Sequence, residues 1–152
     1  MIIYLDACCF SRPFDNQDHM AQERVRAEII AIMDALEICK IACFSIVGSP
    51  VAVMEINKIK LDWKRRSVIS FYNSMVTEEA PLTDAVDVRA GVLIAQSIKK
   101  FDAYHVAFAE AVGADYLLTT DDRLIGASGR LDFNVNVINP LTFMGEYQKW
   151  RR

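Results

Sequence analysis

The sequence predicts an α/β domain in which a mostly parallel sheet of about four to five strands lies between two layers of helices. Short apolar segments alternate with longer segments whose apolar residues recur at helical spacing, which is the pattern of such three-layer α/β/α folds. The chain has 152 residues and is 53% hydrophobic, enough to bury a core without disulfides or structural metals. We therefore expect a single domain spanning 1–152.

The strands are predicted from short apolar runs that end at turn-forming or acidic residues. The first run, IIYLD, is followed by the loop CCFSRPFDNQ, which contains a proline and turn-forming polar residues. Strands are expected at 2–6, 41–45, 116–120 and 134–138, and the short segment 75–79 is a further candidate.

The helices are predicted from apolar periodicity and from their end signals. Ser49 and Pro50 have the residue types of an N-cap and a first helical position, Thr83 is another N-cap, and Gly113 is a helix terminator. Helices are expected from Gln22 to about Ile38, from Ser49 through Glu55, from Asp62 through Met75, from Thr83 to about Lys99, over 101–113, and after Pro140.

Composition limits where the protein works and what it can bind. No apolar run approaches the roughly 18 residues of a membrane-spanning helix, and the N-terminus lacks a signal peptide pattern, so we expect a cytoplasmic protein. The four cysteines include the adjacent pair Cys8 and Cys9 and form no CxxC motif, which favours reduced, buried thiols. A zinc site that combines them with His19 or His105 is disfavoured by the spacing.

The net charge of −3 excludes a protein that binds nucleic acid over its whole surface, because such binding depends on many lysine and arginine contacts to phosphate. A nucleic-acid site must therefore be local. Two groups of basic residues could flank one, although solvated helix faces explain them equally well. These groups are Lys58, Lys60, Lys64, Arg65 and Arg66, and Lys99 with Lys100.

Four acidic residues are candidates for a common site. Asp6 and Asp121 each follow a predicted strand, and the carboxyl ends of parallel strands meet at one edge of a sheet. Asp102, in the first turn of a helix, and Glu55, on the Ser49 helix, can reach the same edge. Carboxylates held this close repel one another, so such a cluster persists chiefly where a divalent cation neutralises it. Oxygen ligands favour Mg²⁺ or Mn²⁺.

Each acid also has a structural interpretation. Asp6 and Asp121 can cap loops, Asp102 can be a helix N-terminal acid that interacts with the helix dipole, and Glu55 can be a surface residue. Spacing alone leaves the two interpretations balanced. The repeated placement of an acid at a strand end, once after the pair Thr119 and Thr120, is what favours a shared site.

Four segments together resemble a stand-alone bacterial PIN domain. They are IIYLDACCFSRPFD, SPVAVMEI, FDAYHVAFAEAVGADYLLTTDDRL and VINPLTF, and they extend over nearly the whole chain. By this resemblance Asp6, Glu55, Asp102 and Asp121 match the metal-binding and catalytic acids of the family. The sequence adds a second acid, Asp122, as an alternative fourth ligand; we favour Asp121 because it comes first after the strand.

The resemblance implies further roles and partners. Thr119 or Thr120 would provide a hydroxyl that supports the site. The implied activity is metal-dependent hydrolysis of RNA, single-stranded RNA being favoured, and many family members are toxins paired with an antitoxin protein. A homodimer is a further expectation from the family, and the alternative function is a catalytically silent PIN-like module that binds RNA or protein.

Two further residues are candidates beside the acids. Arg12 follows Asp6 closely enough to contact a phosphate, although an ion pair with Asp15 is an equal alternative. His105 lies one turn after Asp102, where it can be a packed core histidine, a contact to the acid or a general acid. Other enzyme classes fit less well, because the first loop has neither the glycines of a dinucleotide site nor a second acid two residues after Asp6.

Overall fold

A computed structural model describes residues 1–16 and 23–151 of the chain. Five short strands form one sheet with the order β3-β2-β1-β4-β5, and all four strand pairings are parallel. The strands are β1 Ile2–Leu5, β2 Ser45–Gly48, β3 Glu78–Glu79, β4 Tyr116–Leu118 and β5 Asn136–Ile138. The predicted α/β class and parallel sheet are confirmed.

Eight α-helices connect and cover these strands in the described part of the chain, together with a 3-10 turn at Arg12–Phe14. Several begin at side chains that accept a backbone N–H, including Ser49, Thr83 and Asn139. The helices are α1 Ala7–Ser11, α2 Glu23–Ile41, α3 Pro50–Asn57, α4 Asp62–Met75, α5 Asp84–Ala95, α6 Lys100–Ala111, α7 Asp122–Ser128 and α8 Pro140–Trp150.

The two faces of the sheet bury separate apolar cores, as the alternation of β1 requires. Ile3 and Leu5 pack into a core with residues of α2, α4 and α8, whereas Tyr4 faces a second core with residues of α5 and α6. The sheet is therefore the middle layer of three. This arrangement leaves the carboxyl ends of β1 and β4, which are adjacent strands, at the same edge.

Several predicted boundaries are wrong, and the turns explain why. The segment 41–45 is not a strand: α2 continues through Ile41, Cys43 has a left-handed backbone with φ of 55°, and β2 begins only at Ser45. Likewise α5 ends at Ala95 instead of Lys99, because the chain turns at Ser97, where φ is 70°. Both turns use non-glycine residues at positive φ, which the sequence does not mark.

Other differences concern short elements. The predicted loop after β1 is helical at α1, and α7 was not predicted. The strands expected at 116–120 and 134–138 are three residues long, and the first ends at Leu118. Gln22, the predicted start of a helix, and His19 lie outside the described residues. No helix within the described ranges has the length and apolar character needed to cross a membrane.

The cysteines are all free thiols, but they are not uniformly buried as expected. Cys9 and Cys39 are buried, Cys8 is half-buried and Cys43 is exposed at the left-handed turn after α2. Cys9 Sγ donates to the carbonyl oxygen of Leu118 at 3.3 Å. Cys8 lies nearer the sheet edge, where its Sγ accepts from the backbone N–H of Thr120 at 3.3 Å.

Candidate functional site

Asp6 and Thr119 connect the ends of the two central strands. The backbone N–H of Asp6 donates to the carbonyl of Leu118 at 3.1 Å, which continues the β1–β4 pairing to the first residue beyond the strands. The Thr119 hydroxyl donates to Asp6 Oδ2 at 2.8 Å and accepts from the backbone N–H of Asp121 at 3.1 Å. One buried hydroxyl therefore fixes the Asp6 carboxylate relative to the start of α7.

Thr120, the alternative hydroxyl from the sequence, has a different partner. Its Oγ1 accepts from Arg12 Nη2 at 3.0 Å. Of the two threonines, Thr119 is thus the one whose side chain contacts a candidate acid.

Glu55 and His105 complete the cluster around Asp6. His105 Nε2 lies 3.1 Å from Asp6 Oδ1 and also contacts Glu55 Oε1. Each of these three residues offers a ligand atom, and the three atoms lie within 4.8 Å of one another. Glu55 reaches the site from α3 and His105 from α6, so three elements converge at the end of β1. His105 is completely buried and Glu55 is partly exposed.

The other ring nitrogen of His105 continues a buried hydrogen-bonded chain. Tyr4 Oη lies 2.7 Å from His105 Nδ1 and 2.6 Å from Ser49 Oγ. Ser49 Oγ in turn accepts from the backbone N–H of Ala52 at 3.2 Å as the N-cap of α3. The residue that starts the Glu55 helix is thereby connected to the histidine that contacts Glu55.

The electrostatics of the cluster extend to Asp102. Its pKa is raised to about 6, first by burial and then by the negative charges of Asp6 and Asp121. Burial lowers the pKa of His105, but Asp6 and Glu55 favour the charged imidazolium strongly enough to raise the pKa to about 9. Negative charge from several elements is therefore concentrated at this edge of the sheet.

The two consecutive aspartates at the start of α7 have different environments. Asp121 is half-buried, and its Oδ1 accepts from the backbone N–H of Arg123 at 2.9 Å as the helix N-cap. Asp122 is exposed, and both of its oxygens lie 2.7 Å from the guanidinium of Arg24, which lowers the Asp122 pKa. Asp122 is thus held by an arginine, whereas the charge of Asp121 acts on Asp102.

Arg12 is also engaged by protein groups. Its guanidinium contacts Asp15 at 3.0 Å and Thr120 at 3.0 Å, and Nε lies 3.1 Å from Glu28 Oε2. The ion pair with Asp15 is the alternative that the sequence left open. A phosphate contact would therefore have to compete with these partners.

Sequence reasoning missed Glu28, a fully buried carboxylate in α2. Its Oε1 accepts from Arg24 Nε at 2.6 Å and from Asn139 Nδ2 at 3.2 Å, so it connects α2 to the start of α8. The helical spacing carried a signal, since position 28 lies three residues after Val25 and four before Ile32, on the buried face. A buried carboxylate on that face requires partners of opposite charge, and Arg12 and Arg24 supply them.

The donor set fits a hard divalent cation. Asp6 and Glu55 supply carboxylate oxygens, which such ions prefer, and Asp102 adds a carboxyl group whose charge the site disfavours until a positive charge is present. A cavity of about 290 Å³ is lined by both Asp102 and Asp122. Its lining also includes the basic residues Lys99, Arg123 and Arg130.

Comparison with known proteins agrees with this architecture. VapBC2 from Rickettsia felis, solved bound to a DNA fragment from its promoter, has a chain similar in fold, with a TM-score of 0.61, 18% identity, and coverage of 91% of this chain and 98% of that one. VapBC-1 from nontypeable Haemophilus influenzae gives a TM-score of 0.53, 13% identity, and coverage of 92% and 98%. No curated protein matches the chain in sequence. The PIN domain family model matches residues 3–129, and the chain belongs to the PIN domain family.

Proposed function

We propose that this protein is a metal-dependent endoribonuclease that hydrolyses phosphodiester bonds of RNA. The observation that carries the proposal is the convergence of Asp6, Glu55 and His105 at the end of β1, with Asp102 and Asp121 coupled to them by charge. PIN domains are typically nucleases that use divalent metals, and this cluster is where such an ion would be held.

In this proposal Asp6, Glu55, Asp102 and Asp121 hold Mg²⁺ or Mn²⁺, and Asp122 is a helper at the rim. The bound cation supplies charge neutralisation for the scissile phosphate and lowers the pKa of water. The residues of the chain do the positioning: Thr119 orients Asp6 and the start of α7 through its two hydrogen bonds. Without a cation the carboxylates would repel an RNA backbone, so metal is needed for binding as well as for hydrolysis.

The substrate side of the proposal is the cavity beside Asp102. Lys99, Arg123 and Arg130 line it, so positive charge lies next to the acids although the net charge of the protein is −3. We assign these residues to contacts with phosphates that flank the cleaved bond. Arg12 is a second candidate for such a contact when RNA displaces Asp15.

The biological setting is proposed from the relatives. The VapBC neighbours suggest that the chain, as one domain, is the toxin of a toxin–antitoxin pair with an antitoxin protein as partner. We further propose a homodimer that acts in the cytoplasm on single-stranded RNA. The rival function is a catalytically silent PIN-like module that binds RNA or protein. In such a module the acidic residues are present but no RNA is cleaved.

Cleavage of labelled single-stranded RNA tests the activity. We expect purified protein to cleave in Mg²⁺ or Mn²⁺ and not in EDTA, and both Asp6→Asn and Asp102→Asn to lower the rate by at least about 100-fold, because each removes a charge from the site. A matched control is Asp115→Asn. The Asp115 carboxylate accepts from the Ile2 N–H at the opposite end of the strands, and the side-chain oxygen of an asparagine can still accept that hydrogen bond.

The control variant should cleave as the wild type does. Cleavage that survives Asp6→Asn would indicate a contaminating nuclease, and metal-bound wild-type protein that cleaves no RNA would favour the binding module.

A further inference from the structure

His105 has an unusual combination of burial and partners. Its ring is completely inaccessible, yet both nitrogens contact polar groups: Nε2 faces the Asp6 and Glu55 carboxylates, and Nδ1 faces the Tyr4 hydroxyl. A nitrogen that faces two carboxylates can either share a cation with them as a ligand or donate an N–H to them. The two roles require opposite states of Nε2, since a ligand nitrogen carries no proton.

The hydrogen-bonded chain behind the ring decides between these roles. Ser49 Oγ accepts from the Ala52 N–H, and its other described hydrogen-bond partner is the Tyr4 hydroxyl. If Ser49 donates to Tyr4 and Tyr4 donates to His105 Nδ1, every hydroxyl hydrogen in the chain has an acceptor. The reverse direction would leave the buried Ser49 hydroxyl without an acceptor among the described residues. In a neutral ring Nδ1 is then an acceptor, and the ring proton lies on Nε2.

We propose that His105 is a positioning residue and not itself a metal ligand: its Nε2–H donates to Glu55 and lies 3.1 Å from Asp6 Oδ1, and in this way it holds the two carboxylates together. The inference rests on the proposed metal site. In the neutral tautomer set by Tyr4, the ring proton lies on Nε2 and Nδ1 accepts from Tyr4. The imidazolium also carries a proton on Nε2, but its Nδ1–H must donate to Tyr4 instead, so the direction of the buried chain given above applies to the neutral ring.

Asp6 keeps enough capacity for a cation under this arrangement. A carboxylate has about four lone-pair positions. Thr119 occupies one on Oδ2, and the contact of His105 Nε2 with Oδ1 takes at most one more, which leaves at least one on each oxygen. His105 also joins α6 to α3, because it approaches Asp6 and Glu55 from a third element. It thus fixes the separation of two acids that lie on different elements and would otherwise repel each other.

Binding of Mn²⁺ to the whole protein, without RNA, tests this role. Titration followed by the EPR signal of free Mn²⁺ gives the affinity of each variant. We expect His105→Ala to weaken binding about 10- to 100-fold, the usual effect of removing a group that orients a metal ligand. His105→Gln, whose amide N–H can take the place of Nε2–H, should recover part of the loss. Tyr4→Phe should weaken binding less than His105→Ala.

Tyr104→Phe is the matched control for Tyr4→Phe. Tyr104 lies on the same helix as His105, but its hydroxyl donates to Asp87, so its loss should leave Mn²⁺ affinity unchanged. Thermal unfolding establishes that each variant is folded. If His105→Ala does not fold, the comparison of Tyr4→Phe with Tyr104→Phe decides the question, since equal affinities in that pair would overturn the proposal.

Pulsed EPR of bound Mn²⁺ separates the two roles of the histidine directly. We expect no directly coordinated nitrogen in the wild type, and a strongly coupled imidazole nitrogen that disappears in His105→Ala would overturn the inference. Unchanged or tighter Mn²⁺ binding by folded His105→Ala would overturn it too. If the wild type binds no Mn²⁺ or Mg²⁺ at all, the metal-dependent function itself fails, which is a distinguishable result.

Discussion

Among the described carboxyl groups, Asp102 is the one whose pKa the folded protein raises. Burial and the charges of Asp6 and Asp121 raise its pKa from 3.8 to about 6, so the folded state binds this proton more tightly than the unfolded state does. The contribution of Asp102 to the free energy of unfolding should therefore fall as pH rises from about 4 to about 6. In EDTA at pH 7.5, Asp102→Asn should raise the free energy of unfolding by on the order of 1 kcal/mol, after solvent screening is allowed for. Urea denaturation measures the difference.

The matched control for this change is Asp84→Asn. Both aspartates lie in the first turn of a helix, so both substitutions lose a favourable interaction with the helix dipole, but Asp84 is exposed at the start of α5. The control should be neutral or slightly destabilising. At pH 3.5 the gain from Asp102→Asn should vanish, and in saturating Mn²⁺ its sign should reverse if Asp102 is a ligand. A variant that is no more stable than the control in EDTA would contradict the pKa argument.

At the residue scale, the sequence identified candidate side chains better than it identified the residues that they contact. Asp6 and Asp121 could be placed because each follows a predicted strand, and the parallel sheet carries both to one edge, although β4 ends at Leu118, two residues earlier than predicted. The roles of His105 and Glu28 depend on contacts between residues at least 50 positions apart, with Glu55 in one case and Asn139 in the other. No local pattern contains that information.

At the scale of elements, Gly48 controls how β2 leads into the Glu55 helix. A Cβ at this position would lie 2.0 Å from Tyr72 Oη and 2.5 Å from Cζ, and Tyr72 is a buried side chain of α4. Gly48→Ala must displace that ring, whose hydroxyl donates to Glu79 at 2.6 Å. We expect a loss of about 1–3 kcal/mol in unfolding free energy, typical of overpacking, measured by chemical denaturation.

Gly91→Ala is the opposite case in the same protein. Gly91 lies inside α5, and apart from its chain neighbours and the backbone of its own helix no described atom lies within 4 Å of a Cβ built there. Alanine should therefore stabilise the helix by about 0.5–1 kcal/mol. If Gly48→Ala lowers the unfolding free energy and Gly91→Ala raises it, the packing of α4 against β2 is supported. A stabilising or neutral Gly48→Ala would show that Tyr72 does not occupy this place.

Helices with strong sequence signals were predicted accurately, and elements that end at unusual turns were not. The start of α3 at Pro50 follows from the signals of Ser49 and Pro50, and the full span of α4, Asp62–Met75, follows from its apolar periodicity. The short helix α7 was missed although Asp121 caps it. The second strand was placed too early because apolar residues continue from α2 into β2. The turn between them uses Cys43 at positive φ, a conformation for which cysteine has no preference.

At the scale of the whole molecule, the distribution of charge matters more than its sum. The net charge is −3, yet Lys99, Arg123 and Arg130 line the cavity that Asp102 shares. All three are exposed, so a bound phosphate could reach them without unfolding any element. Three basic side chains at one place predict a weak attraction for RNA that is confined to this cavity. A non-specific nucleic-acid binder has, in contrast, a broad basic surface.

The salt dependence of RNA binding measures how many of these cations contact phosphate. For single strands, log Kobs falls with log salt concentration by about 0.7 for each phosphate contact, so three contacts give a slope of about −2. Fluorescence anisotropy with Ca²⁺ in place of the activating ion should give a slope no steeper than this. Replacing Lys99, Arg123 and Arg130 together by alanine should bring the slope near zero. Replacing the exposed Lys40, Lys149 and Arg151 by alanine, which removes the same charge, should leave the slope unchanged. Equal slopes for both triple variants would mean that RNA does not bind along this cavity, because net charge alone would then explain the affinity.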